Sequence, residues 1–200
     1  VQIYIYIISK LLNYGVNLKE VRIHGRGGQG AVTSSQVLAI AAFYDGKYCQ
    51  AFPHFGVERS GAPVEAFTRI DSKFINTRQH VYSPDYVIVL DSALIHAVDV
   101  VAGLRRGGLL IINTDKPVGK LNLKNKKNFN IHTVNITQIA LDVIGKPFVN
   151  IAALGAFSEL SKIISLKSLD KAIDERFESK KAVAELNKKA AAAVAGACKL

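Results

Sequence analysis

The chain has 200 residues, 49% of them hydrophobic, which is enough for a compact core. Its two cysteines, Cys49 and Cys198, are far apart with no C-x-x-C spacing, which excludes a local iron–sulfur or zinc framework, and the lack of a disulfide pattern points to a reducing cytoplasm. The formal charge of +10 is uneven: residues 1–100 carry nine Lys/Arg against eight Asp/Glu, residues 101–200 seventeen against eight, a balance that suits a phosphorylated ligand or an acidic partner as well as a plain solvated surface.

Residues 1–17 read as an N-terminal extension of open role. Val1–Ile8 is apolar, but eight residues cannot span a bilayer, and the basic start and cleavage site of a signal peptide are missing. An edge strand and a helix docked on a partner both stay open there. With no methionine in the sequence, position 1 is not taken as the biological start.

Leu18–His24 alternates as a strand, with Val21 and Ile23 on one side and Glu20 and Arg22 on the other. The glycine-rich turn Gly25–Gly30 follows. Ala31–Tyr44 predicts a helix with a stripe at Val37, Ile40, Ala41 and Tyr44, broken by Asp45-Gly46. Lys47–Phe52 predicts a second strand, Pro53–Gly61 a polar loop and Ala62–Asp71 a third strand. Lys73–His80 suggests a short strand or hairpin.

Tyr86–Leu90 is an apolar run ending at Asp91, the pattern of a buried central strand. Ile95–Leu104 predicts a helix and Leu109–Asn113 another strand. Asp115–Asn130 is loop-like with five lysines, and Ile131–Val134 is a last short strand. Four helices are expected at 137–144, 150–164, 168–177 and 180–197. Gly145 stops the first, and Ser168 is the expected N-cap of the third. The Ala-rich tail, residues 190–197, has a weak apolar face and is expected to be peripheral or to rest on a partner.

Strands alternating with helices imply a three-layer α/β/α sandwich with a mainly parallel sheet. No internal repeat or long linker appears, so residues 18–200 are expected to form a single domain ending in helices.

Two segments carry candidate chemistry. Gly25-x-Gly27-x-x-Gly30 lies between a strand and a helix, where glycines let backbone N–H groups approach an anion at a helix N-terminus. A Rossmann-type dinucleotide site also needs an acid at the end of the second strand, and Gln50-Ala51-Phe52-Pro53 supplies none. There is no G-K-[ST] for a nucleotide hydrolase. The second segment, His54 to Pro63, mixes His54, Glu58 and Arg59 at a strand end, where open α/β sheets bind ligands. A tight packing turn and a surface loop are the bland readings of the two.

His24-Gly-Arg-Gly-Gly-Gln-Gly30 resembles the motif that opens the gamma subunit of 2-oxoacid:ferredoxin oxidoreductases. Gln50-Ala-Phe-Pro53, Gly56 to Pro63, Phe67–Asp71, Pro84–Val89 and Asn150–Phe157 continue the resemblance in order, over roughly residues 18–178. It implies a Rossmann-like α/β/α fold. It also implies membership of a pyruvate synthase-type complex that oxidatively decarboxylates a 2-oxoacid to acyl-CoA and CO2 and reduces ferredoxin. Thiamine diphosphate, magnesium and iron–sulfur clusters would sit on partner subunits, leaving this chain without catalytic or metal-ligating residues of its own.

A basic glycine-rich face suits coenzyme A. Arg26, Gly27, Gly28, Gln29 and Gly30 are the first candidates for contact, and His54, Glu58 and Arg59 the second, for coenzyme A or for assembly. A purely structural subunit and a stand-alone small-ligand protein are the alternatives. No basic helix or aromatic platform supports nucleic-acid binding, even at the lysine segment 116–127.

Overall fold

The computed structural model describes residues 18–54 and 61–199. The expectations for residues 1–17, and for Glu58 and Arg59, lie outside the described residues.

Among these residues six strands form one sheet: β1 (Lys19–Arg26), β2 (Tyr48–His54), β3 (Pro63–Asp71), β4 (Tyr86–Val89), β5 (Leu109–Asn113) and β6 (Asn130–Val134), in the order β2-β3-β1-β4-β5-β6. The pairs β1–β4, β4–β5 and β5–β6 are parallel. β3 alone points opposite to the other five, pairing antiparallel with β1 through Ile23↔Ala66 and with β2 through Phe52↔Phe67. Pro53 lies inside β2, which its position at the sheet edge permits.

Among the described residues, five α-helices cover one face: α1 (Ala31–Tyr44), α2 (Ile136–Ile144), α3 (Val149–Ser161), α4 (Leu166–Arg176) and α5 (Lys181–Ala197). Val21, Ile23, Ala66, Ile88, Leu90 and Ile111 meet them in the larger core. The other face is covered by 3-10 turns and irregular chain from 92–104 and 118–129. They bury Val87, Val89, Leu110 and Ile112 under Leu94, Val100, Leu104 and Leu121. The architecture is thus an α/β/α sandwich on a mostly parallel sheet, with one thick and one thin layer.

Several local expectations are corrected. Ile95–Leu104 is not an α-helix: a 3-10 turn covers Ser92–His96, and irregular turns follow. The buried Arg22 guanidinium donates to the carbonyls of Val100 and Ala102 at 3.0 and 2.7 Å, taking acceptors a helix would have needed, and Gly103 is left-handed with φ 70°. Residues 73–80 form neither strand nor hairpin but an irregular run, held by Arg69 and Gln50 through the carbonyls of Thr77, Gln79 and Ile75.

α1 has no single apolar stripe. It is wedged among the sheet, α3 and α4, so Ser34, Ser35, Leu38 and Ala42 are buried while Tyr44 is exposed. Ser165, not Ser168, caps α4, its Oγ accepting from the Ser168 N–H at 3.1 Å. Both hydroxyls also donate to Asp45, which joins α4 to the end of α1.

The Ala-rich tail is not peripheral. Ala190, Ala191, Val194 and Ala195 are buried, and α5 lies so close to α3 that a Cβ on Gly155 would stand 1.9 Å from the Ala191 carbonyl oxygen. Small side chains gave a weak hydrophobic signal because their use here is close approach rather than bulk.

Candidate functional site

β1 and α1 meet at the turn Gly27–Gly30. Gly28 and Gly30 have φ of 89° and 84°, a left-handed conformation that costs L-residues roughly 1–2 kcal/mol. The two glycines answer different demands. A Cβ on Gly30 would meet Asn150 Nδ2 at 2.6 Å, so Gly30 is needed for the contact between the starts of α1 and α3, which Ser34 Oγ completes by donating to the Gly30 and Asn150 carbonyls. A Cβ on Gly28 would meet nothing within 4 Å among the described residues, and Gly28 is exposed. The first amides of α1 have no intrahelical acceptor, and the helix dipole adds positive potential where they emerge.

Arg26 is engaged with the protein. Its Nε donates to Asp91 Oδ2 at 2.5 Å and its Nη1 to the Gly61 carbonyl at 3.1 Å. Asp91 also accepts from Ala93 N at 2.9 Å, capping the 3-10 turn after β4. Gln29 Oε1 accepts from Arg26 N at 2.8 Å. Gly27 N donates to Ala62 O at 2.8 Å, and Gly61 N to Gly27 O at 3.2 Å. Arg26 and Gly27 therefore clasp the glycine turn to Gly61-Ala62 ahead of β3, and Gln29 braces the turn itself.

His54 stands apart from this clasp, at the end of β2 and two strands from β1. It is exposed, with His80 and Phe67 rings at 5.3 and 6.1 Å and Glu65 Oε2 3.5 Å from its Nδ1. Glu65 faces His24 on its other side, Oε1 lying 3.4 Å from His24 Nδ1, because His24, Glu65 and His54 are directly opposite one another across β1, β3 and β2.

His24 is 1% exposed and its Nε2 has no hydrogen-bond partner among the described residues. Burial, and then the neighbouring Arg22 charge, push its pKa down to about 3. The unfolded chain protonates this imidazole near pH 6.5. Its neutral form thus contributes fully above that value and loses the contribution as pH falls toward the folded pKa. We expect a loss of up to about 1.4 kcal/mol per pH unit below 6.5 from this group. Urea unfolding at pH 7, 6 and 5 should show a steeper fall for the wild type than for His24→Gln. Parallel slopes would show that His24 titrates alike in both states.

Among the described residues no group of three or more His, Cys, Asp or Glu side chains could hold a metal. Sequence reasoning found the glycine turn but missed Asp91, Glu65 and Asn150. Asp91 left a readable signal, an acid at the carboxyl end of an apolar central strand. Asn150 stood in the segment 150–157 that carries the resemblance, but its contact with Gly30 was not readable, and Glu65 left no signal, since both roles depend on strand register and helix crossing.

The profile of the pyruvate ferredoxin/flavodoxin oxidoreductase family matches residues 20–197. Over 172 residues the chain is 55% identical to the pyruvate synthase subunit PorC of Methanocaldococcus jannaschii, covering 86% of this chain and 92% of the relative. It is 51% identical over 173 residues to the pyruvate/ketoisovalerate oxidoreductases common subunit gamma of Thermococcus kodakarensis, with the same coverage of 86% and 92%. The crystal structure of pyruvate oxidoreductase subunit PORC from Thermotoga maritima superposes with a TM-score of 0.77 at 38% identity, covering 90% of this chain and 96% of that one.

Proposed function

Because the chain belongs to the pyruvate ferredoxin/flavodoxin oxidoreductase family, among its gamma subunits, we propose that it serves a multi-subunit 2-oxoacid:ferredoxin oxidoreductase by holding coenzyme A and helping the complex assemble. The reaction of such a complex would turn a 2-oxoacid and coenzyme A into acyl-CoA and CO2 and pass the electrons to ferredoxin. Thiamine diphosphate, magnesium and the iron–sulfur clusters would belong to partner subunits, which carry the redox chemistry. This chain's part is binding and orientation.

The observation that carries the coenzyme A reading is Gly28. It is exposed, left-handed and open on the side where a Cβ would point, beside the N-terminus of α1. A diphosphate could approach the backbone there, as only glycine permits. Arg26 acts from behind, fixing the turn through Asp91 and Gly61 rather than reaching outward.

Gly28→Ala tests this in the assembled complex. The added methyl meets no atom of the described residues, and the strain is about 1–2 kcal/mol, which the fold tolerates. The KM for coenzyme A should rise about tenfold, a loss of about 1.4 kcal/mol, with the KM for the 2-oxoacid unchanged. Unchanged values for both substrates in an intact complex would favour the assembly-only reading, with which the inward engagement of Arg26 also agrees.

A further inference from the structure

The two edges of the sheet differ in chemistry. Along the β2 edge the large exposed side chains are aromatic: the Tyr48 and Phe74 rings meet at 6.0 Å, and Tyr82 lies 6.2 Å from His80. Beside β6, at the opposite edge, the exposed charge is basic. The crossover from β5 to β6 runs through the thin layer, and residues 116–141 hold five lysines and no Asp or Glu.

The crossover holds its lysines in place. Leu121 and Leu123 are buried in the thin layer, between 3-10 turns at Val118–Lys120 and Lys126–Asn128. Lys126 Nζ turns inward to the carbonyls of Val118 and Gly119 at 3.4 and 3.3 Å, and Lys124 Nζ pairs with Asp99 at 3.1 Å. The other three, Lys116, Lys120 and Lys127, are exposed, and their ammonium groups have no partner among the described residues. Arg106 is exposed and unpaired in the same sense, and it is pinned at the Lys127 end because Gly107 N donates to the Asn128 carbonyl at 2.7 Å. Lys116 follows the carboxyl end of β5 and Lys127 precedes the amino end of β6, so the four cations form a stripe as long as that strand, about 16 Å. The neighbouring acids Asp99 and Asp85 are engaged by Lys124 and by Arg105 and Lys19, which leaves Asp115 at one end of the stripe.

This spread is too long for one phosphate group, and it lacks what a permanent subunit contact needs. Such contacts have an apolar core. Among the described residues every large exposed hydrophobic side chain lies outside residues 92–134. Positive charge without an apolar anchor suits a partner that is steered in by charge and leaves again.

We infer that the lysine stripe beside β6 is the docking surface for the acidic electron-carrier protein that the complex reduces, with Lys116, Lys120, Lys127 and Arg106 meeting its carboxylates. The inference rests on the ferredoxin-linked reading above and adds where the carrier lands. A carrier must arrive, take its electron and depart, and exposed ion pairs speed arrival without slowing release as a buried apolar interface would. The redox centres stay on partner subunits, and this chain supplies the meeting surface.

The test uses the assembled complex with Arg106→Glu, Lys116→Glu, Lys120→Glu and Lys127→Glu combined. The control combines Lys167→Glu, Lys180→Glu, Lys181→Glu and Lys189→Glu, four exposed lysines around α4 and α5, and so carries the same change in net charge. Rates are read with ferredoxin from the same cells and with methyl viologen, which needs no protein docking, from low to physiological salt. The stripe variant should raise the KM for ferredoxin about tenfold at low salt and lose most of the dependence of kcat/KM on ionic strength. Its viologen rate and its KM for coenzyme A and the 2-oxoacid should not move, and the control should match wild type in every readout. An equal rise in the control would overturn the inference, since net charge alone would explain it. So would an unmoved KM for ferredoxin in the stripe variant, a rise in the KM for coenzyme A instead, or loss of partner subunits on gel filtration, which would make the stripe an assembly contact. If the wild-type complex oxidises its 2-oxoacid with viologen but reduces no ferredoxin, the ferredoxin-linked reading itself falls, and the docking surface goes with it.

Discussion

Replacing Gly155 with alanine should lower the melting temperature of the chain by roughly 5–15 °C, from a net loss of about 2–4 kcal/mol. The added methyl would lie 1.9 Å from the carbonyl oxygen of Ala191, 2.7 Å from its carbon and 2.9 Å from its Cα. All three are backbone atoms of α5, so no side chain can turn aside, and α3 and α5 must move apart by roughly 1.5 Å. Separation then strips contact from Ala190, Ala191, Val194 and Ala195, all buried along the same seam. The gain in helix propensity, about 1 kcal/mol, offsets only part of this. Gly196 supplies the control. It lies in the same α5, and a Cβ there meets nothing within 4 Å among the described residues, so Gly196→Ala should be neutral or slightly stabilising. Thermal melts of the two variants side by side check the argument, and a Gly155→Ala melt within a degree of wild type would refute it.

The same seam shows what a sequence conceals. Strands β4 and β5 were legible because buried parallel strands are apolar on both faces, and Tyr86–Val89 and Leu109–Asn113 are such runs. α1 was legible to the residue, since the glycine turn and Asp45-Gly46 punctuate both ends. The Ala-rich tail was not, because hydrophobicity measures bulk and α5 packs by lacking it. Nor was the absence of a helix at 95–104, whose cause is Arg22, with its acceptors 78 and 80 residues further along the chain. The reversal of β3 carried no local sign either, since β3 alternates as a strand of either direction would. At the site, the motif residues were readable as a turn that could face an anion. That Arg26 looks inward was not, because its partner Asp91 lies 65 residues away.

Arg69→Ala should be of similar severity to the Gly155 change, at about 3–5 kcal/mol. Arg69 is 2% exposed, on β3 opposite Glu20 of β1. Its Nε donates to Glu20 Oε1 at 2.9 Å, its other nitrogens to the carbonyls of Thr77 and Gln79, and its guanidinium lies 5.0 Å from the centre of the Phe52 ring. Truncation leaves a largely buried Glu20 carboxylate and two carbonyls without their donor, which costs more than the pair itself contributes. Lysine cannot replace the fork, because one ammonium cannot reach three acceptors in this spread. Arg69→Lys should fall between wild type and alanine. If the unpaired carboxylate is the main cost, Glu20→Leu combined with Arg69→Met should recover part of the loss seen in Arg69→Met alone, a coupling of about 1–3 kcal/mol in urea unfolding. The irregular run 73–80 reports on the same contact. Released from Arg69, it should be cut at Arg78 by trypsin well before the rest of the chain unfolds. Additive substitutions with unchanged cleavage would mean that Arg69 packs this edge without organising it.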